Sequence, residues 1–235
     1  MIDARKLLDQ FLGSQVPGMQ GSVRDKASEA INLARDNPLA TSAIAGVLLG
    51  TKTGREITGN VLTLGGLAAI AGLGYQAYKN YQAGNAPQPA QQPAQQAEPQ
   101  FLPPPSNSGF STAPAITSND FALSLVRAMI AAARADGHID DAERQHILGK
   151  VQEAGVGAEA ESFFERELAN PVDLDAIVAS AKTEEQRVQV YTASRLAIEP
   201  DSRAERGYLD LLAGRLGLAD ALVDHIEATV ASAKV

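Results

Sequence analysis

An uncharged stretch of 22 residues does most to limit how this chain can fold. It covers residues 57–78, between Glu56 and Lys79. As an α-helix with a rise of about 1.5 Å per residue, it would be roughly 33 Å long, enough to cross a bilayer core of about 30 Å. The stretch therefore predicts either a membrane segment that tethers the rest of the chain or a glycine-rich helix of a soluble protein.

Glycines give this stretch a second property. Four of them lie between residues 65 and 74, and three more, at positions 46, 50 and 54, share one face of a preceding helical segment. Each glycine in a helix costs about 1 kcal/mol relative to alanine, so several together indicate close packing against another backbone. We expect membrane association and homo-oligomerisation through these faces. Tyrosines flank Lys79 like an interfacial anchor, namely Tyr75, Tyr78 and Tyr81.

The composition favours an all-α fold. Alanine is abundant, aromatic residues make up only 5% of the chain, and runs of β-branched residues are scarce. Cysteine is absent, which excludes disulfide bonds and thiolate metal sites. The first fifteen residues carry early charges and no long apolar core, so we expect no secretory signal peptide.

The chain divides into three parts. Residues 1–82 form an N-terminal helical region that contains the uncharged stretch. Residues 83–118 hold eight of the twelve prolines and are rich in Gln, Ala and Ser, which predicts a disordered linker. Residues 119–235 are long enough for an independent core. Seven helices are expected there, over residues 121–135, 140–154, 158–169, 174–181, 184–198, 202–216 and 219–233, and they predict a compact helical bundle.

The net charge of −8 lies almost entirely in the last part, since residues 119–235 carry a net charge of −9. An acidic surface repels nucleic acids and anionic lipid headgroups, so we expect no nucleic-acid partner. The same charge suits divalent cations or a basic protein partner, whose identity the sequence leaves open. An ordinary solvated acidic surface is the alternative.

Two acidic turns between helices are candidate cation sites. The first holds Asp136, Asp140 and Glu143, and the second holds Asp201 and Glu205. Carboxylate oxygens are the ligands that Ca²⁺ and Mg²⁺ prefer, so the five residues would form a site if the turns met in space. The spacing is not that of an EF-hand loop.

Helix capping explains the same residues without a metal. Asp140 with Glu143, and Ser202 with Glu205, have the spacing of a capping box, in which the first side chain accepts from a first-turn amide and the Glu bonds back. Neither a nucleophile motif nor a phosphate-binding loop is recognisable in the sequence.

The segments MIAAARADGHIDDAERQHIL, NPVDLDAIVASA and YTASRLAIEPDSRAERGYLDLLAGRLGL resemble the TerB-like helical domain of tellurite-resistance proteins. The whole chain is similar to the YebE-like family of bacterial inner-membrane proteins. The resemblance implies an all-helical bundle in a bacterial protein, and it points to the five acidic residues above as a metal site. Arg203 stands in the second turn where the first has Asp141, which departs from a symmetric site.

Together these features predict a non-enzymatic protein at the bacterial inner membrane, with the C-terminal bundle in the cytoplasm. The bundle would act as an interaction or divalent-cation-sensing module in an envelope or stress response of the tellurite type. Two alternatives stay open. One is a metal-dependent hydrolase that uses the acidic turns, and the other is a soluble adaptor whose glycine-rich helices pack on a partner.

Overall fold

The structure, a computed structural model, describes residues 4, 8, 66–87, 104–112, 118–135, 144–145, 147–149 and 158–233. These residues are helical or lie in turns and loops, with no β-strand among them, which confirms the all-α fold class. The first nine residues of the uncharged stretch lie outside the described part, as do the glycines at 46, 50 and 54. So does most of the helix expected over residues 140–154.

Seven α-helices have defined bounds in the described part of the chain. They are α1 (Gly66–Gln82), α2 (Asn119–Ala133), α3 (Ala158–Ala169), α4 (Leu174–Ser180), α5 (Glu184–Ala197), α6 (Arg203–Leu216) and α7 (Asp220–Ala233). Residues 144–145 and 147–149 are also helical.

Capping residues set the helix ends, and they explain why the predicted bounds of α2 to α7 lie within two residues of the observed ones. Ser118 accepts a hydrogen bond from the Phe121 amide at 3.1 Å, so α2 begins two residues earlier than predicted. Thr183 forms a capping box with Gln186 and starts α5. Gly217 ends α6 with a left-handed φ of 66°, a conformation that glycine adopts without strain.

Helix α5 is the centre of the bundle. Every residue from Val188 to Ile198 is buried, so this helix is enclosed on all sides rather than amphipathic. A helix in that position needs small or apolar side chains and paired polar ones. It packs mainly against α2 and α1, and also contacts α6 and α7.

Helix α1 belongs to the same core. It packs against α5 and α7, and Leu67, Ile70 and Leu73 are each at most 4% exposed. The apolar side chains that suggested a membrane segment are therefore buried by the protein itself over residues 66–78. Within the described residues, no helix combines the length and the apolar character that crossing a membrane requires.

The expected tyrosine anchor is also part of the protein interior or its rim. Tyr75 and Tyr78 contact the ring of Phe110, and Tyr81 contacts the ring of His225. A sequence cannot distinguish these arrangements, because an aromatic side chain next to a lysine is equally suited to a lipid headgroup region and to a protein surface.

Residues 104–112, here called the Phe110 segment, have a defined position against the bundle. The amide of Ser108 donates to the carbonyl of Pro105 at 3.0 Å and that of Ser111 to Ser108 at 2.9 Å, which makes two consecutive turns. Phe110 is only 1% exposed. For these nine residues the structure differs from the predicted disordered linker, because one buried aromatic side chain holds an otherwise polar segment.

Candidate functional site

The second acidic turn is a helix cap. The carboxylate of Glu205 accepts from the Ser202 amide at 2.9 Å, and the Ser202 hydroxyl accepts from the Glu205 amide at 3.1 Å. This confirms the predicted capping box. The Glu205 carboxylate is therefore already used to satisfy an amide at the start of α6.

Asp201 contributes backbone atoms to the same turn. Its carbonyl and that of Pro200 each accept from the Arg206 guanidinium at 2.9 Å. Among the described residues, no three His, Cys, Asp or Glu side chains come together in a way that suits a metal ion. The other three predicted ligands, Asp136, Asp140 and Glu143, lie outside the described residues, so the cation site stays a prediction.

A groove between α1 and α5 holds the Phe110 side chain. The Phe110 ring lies 5.8 Å from the Tyr75 ring in an edge-to-face arrangement and 5.5 Å from the tilted Tyr78 ring. Such aromatic pairs contribute about 0.5–1.5 kcal/mol beyond the burial of their surface. Two ring contacts on one side chain make Phe110 the anchor of the whole segment.

Two glycines shape this groove. A Cβ on Gly74 would lie 3.3 Å from both Phe110 and Val188, so glycine lets α1 approach α5 closely. A Cβ on Gly109 would lie 2.8–3.0 Å from the Glu185 side chain, so a larger residue there would require that side chain to move. The close packing that the glycine-rich stretch predicted is thus present at Gly74, as a contact within the chain.

Polar atoms in the groove are only partly used. The Gln189 amide nitrogen donates to the Gly109 carbonyl at 3.1 Å and to the Glu185 carbonyl at 3.3 Å. The Oε1 atom of Gln189 and the Oγ1 atom of Thr192 are buried without a hydrogen-bond partner among the described residues. A buried polar atom without a partner costs about 1–3 kcal/mol, so the groove keeps unused hydrogen-bonding capacity.

The opposite side of α1 borders a cleft. This cleft, between α1, the turn that follows it and α7, has a volume of about 220 Å³. Ten residues line it, and the four apolar ones are Leu73 and three alanines. The six polar ones are Gln76, Asn80, Asn85, His225, Thr229 and Ser232.

A third polar group, here called the Glu227 cluster, joins α7 to α5. The Glu227 carboxylate accepts from the Tyr191 hydroxyl at 2.8 Å and from Arg195 Nε at 2.5 Å. Arg195 Nη1 also donates to the Ile198 carbonyl at 2.9 Å. Burial, and then the nearby Glu227 carboxylate, raise the pKa of Tyr191 well above its usual value of 10.0.

Sequence reasoning missed all three of these features. Phe110 is one of two phenylalanines in the proline-rich stretch, the other being Phe101, and its only signal is the adjacent Gly109 within a serine-rich turn. The cleft combines residues about 150 positions apart in the chain, which no local pattern brings together. The Glu227 cluster has the same limitation, since Arg195 and Glu227 lie 32 residues apart on different helices.

Comparison with known proteins identifies the family. A family described as "Protein of unknown function (DUF533)" matches residues 35–230. The chain belongs to this family. An uncharacterized protein in the ampR 5′ region of Yersinia enterocolitica is 30% identical over 110 residues, which are 47% of this chain and 79% of that protein. No solved structure matches the chain.

Proposed function

We propose that this DUF533 protein is a non-enzymatic interaction module that binds a short peptide carrying a glycine–aromatic pair. The binding site is the groove between α1 and α5, which the Phe110 segment occupies within the chain. The observation that carries the proposal is the complete burial of Phe110, at 1% exposure, in a segment whose other residues are mostly exposed or partly exposed.

The contacts of the segment are those of a bound peptide. One aromatic side chain enters the groove, one backbone carbonyl accepts from Gln189, and a glycine lies against Glu185, where a Cβ would displace the Glu185 side chain. Apart from Phe110, Ser111 is the only residue among 104–112 that is buried. The anchor is therefore small and separable from the rest of the core.

The position of the segment in the chain makes its release feasible. It is preceded by 16 residues, 88–103, and followed by five residues, 113–117, before α2 begins at Asn119. A segment tethered within its own chain competes at an effective local concentration of about 1 mM, so a partner needs only a moderate affinity to displace it.

Charge does not select the peptide at this groove. The first turn of α5 and its approach contain Lys182, Glu184, Glu185 and Arg187, which sum to no net charge. Glu184 accepts from the Tyr78 hydroxyl at 2.9 Å and is already engaged. The aromatic side chain is thus the anchor, and the unused Gln189 and Thr192 oxygens favour an aromatic residue that brings a hydrogen-bond donor.

The test is binding of a synthetic peptide of residues 104–112 to the full-length protein, followed by the amide NMR signals of α5. Phe110→Ala vacates the groove in the full-length chain and should bind the peptide with a Kd of about 0.1 mM or lower, while the wild type, whose own segment competes at about 1 mM, binds at least tenfold more weakly. A peptide with Gly109→Ala should not bind. A peptide with Tyr at position 110 should bind more tightly than the Phe peptide.

Two results would contradict the proposal. One is a Phe110→Ala protein that remains folded but shows no peptide-dependent shifts at Val188 or Thr192. The other is equal binding of the Gly109→Ala peptide, which would mean that the groove does not select the shape seen here. A variant at the exposed Asn107 of the segment serves as the control, because it should leave the groove occupied.

We also propose, from the sequence, that the protein associates with the bacterial inner membrane and that its bundle senses divalent cations. The acidic C-terminal part and its resemblance to TerB-like domains support the second idea. Membrane fractionation of the intact protein with an alkaline wash tests the first, since an inserted segment resists the wash. Calorimetric titration with Ca²⁺ and Mg²⁺, repeated with Asp136→Ala plus Glu143→Ala, tests the second; unchanged affinity in the double variant would exclude it.

A further inference from the structure

The cleft between α1 and α7 is separate from the peptide groove. Leu73, Gln76 and Asn80 border the cleft, whereas Gly74 and Tyr78 of the same helix face Phe110. Because the two sites use different sides of α1, one can be occupied without displacing the other.

His225 offers two ring nitrogens to a ligand of the cleft. Its side chain is only 5% exposed and lines the cleft, and its ring meets the edge of the Tyr81 ring with centroids 6.1 Å apart. No hydrogen bond to the imidazole is present among the described residues, although each ring nitrogen can donate or accept one. The ring nitrogens are not among the buried side-chain atoms that lack a partner in the described part of the chain, so they border the open space of the cleft and can hydrogen-bond to a molecule inside it.

The hydroxyl groups of α7 define what such a molecule must offer. The Thr229 hydroxyl donates its hydrogen to the His225 carbonyl at 2.7 Å, and the Ser232 hydroxyl donates to the Ala228 carbonyl at 2.7 Å. Their oxygens can therefore only accept from a ligand. A phosphate or a carboxylate, which has only acceptor oxygens, does not fit these two positions, whereas a hydroxyl group does.

Three amide side chains from α1 and the following turn form the wall opposite α7, and each can both donate and accept hydrogen bonds. Gln76, Asn80 and Asn85 each offer one carbonyl oxygen and one NH₂ group. No Asp, Glu, Lys or Arg is among the ten lining residues, so the cleft offers a charged ligand no counter-charge. The chemistry of both walls thus selects an uncharged molecule with several hydroxyl groups.

The size of the cleft limits the ligand further. Its volume of about 220 Å³ is below the range of about 300–1,000 Å³ that drug-sized ligands use. We infer that the cleft binds a small neutral polyol of the size of a single sugar ring, such as a hexose or a cyclitol.

The test is an amide NMR titration of the full-length protein with D-glucose, D-galactose and myo-inositol. At least one of them should give saturable shifts at Asn80, Thr229 and Ser232 with a Kd of about 10 mM or lower. Glucose 6-phosphate and glucosamine, the charged counterparts, should bind at least tenfold more weakly. If none of the three polyols saturates these signals below about 50 mM, the cleft holds only water and the inference is wrong.

Two variants locate the binding. His225→Phe keeps an aromatic ring beside Tyr81 but removes both nitrogens, and Ser232→Ala removes one acceptor from the cleft. Each should weaken the best polyol about tenfold, the loss of one useful hydrogen bond. Ser162→Ala, at an exposed serine on α3, is the matched control and should not change the affinity. Equal affinity in His225→Phe, Ser232→Ala and Ser162→Ala would place the polyol elsewhere and overturn the inference.

Discussion

Helix α7 contributes to two sets of polar side chains, the Glu227 cluster and the cleft at His225. They differ in how many of their polar atoms have hydrogen-bond partners within the protein. In the Glu227 cluster, the carboxylate accepts from Tyr191 and Arg195, and Arg195 donates further to the Ile198 carbonyl. In the cleft, the imidazole of His225 makes no hydrogen bond within the described residues, and the neighbouring amides face open space. Both groups lie against the same core, yet only in the Glu227 cluster do the polar side chains bond to one another within the protein.

The difference separates stability from binding. A buried charge is tolerated when its partners are in place, and removing one partner leaves an uncompensated charge that destabilises the fold. Polar groups that border a cavity and lack partners contribute little to folding and are available to a ligand. We therefore expect variants of the Glu227 cluster to unfold the protein more easily and variants of the cleft to leave its stability almost unchanged.

The largest effect is expected for Arg195→Ala. It removes the partner of Glu227 from a site where Arg195 is 8% exposed, and we expect the free energy of unfolding to fall by about 3 kcal/mol. The measurement is denaturant unfolding followed by circular dichroism. Glu167→Gln is the control, because it removes the Arg127–Glu167 ion pair, whose side chains are 39% and 27% exposed, and leaves the Arg127 guanidinium over the Phe163 ring; it should cost about 1 kcal/mol or less. Equal losses in the free energy of unfolding for both variants would mean that the Glu227 cluster contributes no more to stability than an exposed ion pair.

Forcing α1 away from α5 is expected to have the next largest effect. In Gly74→Leu the first added carbon already lies 3.3 Å from Phe110 and Val188, and overpacking of this kind costs about 1–3 kcal/mol. The cleft and the groove should both change shape, while the Glu227 cluster, which does not involve α1, should keep its NMR signals. Gly207→Leu is the matched control. A Cβ there meets nothing within 4 Å in the described part of the chain, so this variant should gain about 0.5–1 kcal/mol in helix propensity.

High pH should lower the free energy of unfolding, because two buried tyrosines titrate at a higher pH in the folded chain than in the unfolded chain. Burial raises the pKa of Tyr208 to about 12, and it raises that of Tyr191 still further. The unfolded chain loses its tyrosine protons at about pH 10, before the folded chain does, so stability is fully present below that pH and is lost as the pH rises towards the folded values. Each tyrosine should add a slope of about 1.4 kcal/mol per pH unit between pH 10 and 12.

Tyr191→Phe and Tyr208→Phe test this slope. In denaturant unfolding between about pH 9 and about pH 12, each variant should show a shallower loss of stability than the wild type, and the double variant a shallower one still. Thr229→Val, which lies in the cleft, should keep the wild-type slope. An unchanged slope in the double variant would show that these hydroxyls titrate normally in the fold.

The smallest effect is expected for the cleft itself. Thr229→Val and Ser232→Ala remove hydroxyls whose hydrogen bonds, within the described residues, run to carbonyls of their own helix, so each should change the free energy of unfolding by less than about 0.5 kcal/mol. Thermal unfolding measures this directly. A loss of more than about 1 kcal/mol in either variant would assign these residues a structural role.

The sequence predicted the helices well, for a local reason. Ser202 with Glu205, and the Asn170–Pro171 break, act within a few residues, and the apolar periodicity of α3 and α5 is read over one or two turns. Fold class and helix bounds depend on such local signals, so both could be predicted.

The sequence could not predict which surfaces meet. The apolar side chains of α1 are equally suited to lipid and to protein, and only the structure shows that Ile70 and Leu73 are buried against α5 and α7. Phe110 carries no periodic signal in its segment. The cleft needs His225 and Asn80 to meet across most of the chain, which periodicity does not encode.

Native-state hydrogen exchange of the intact protein tests the central claim that α1 is part of the bundle. The groove and the cleft both require α1, so both proposals depend on it. We predict that the amides of Leu73 and Ala77 exchange with the same free energy as those of Val190 and Ala193 in α5, because the helices unfold as one unit. Exchange of the α1 amides at a free energy several kcal/mol lower, with α5 still protected, would show that α1 is not held by this core and would contradict the account.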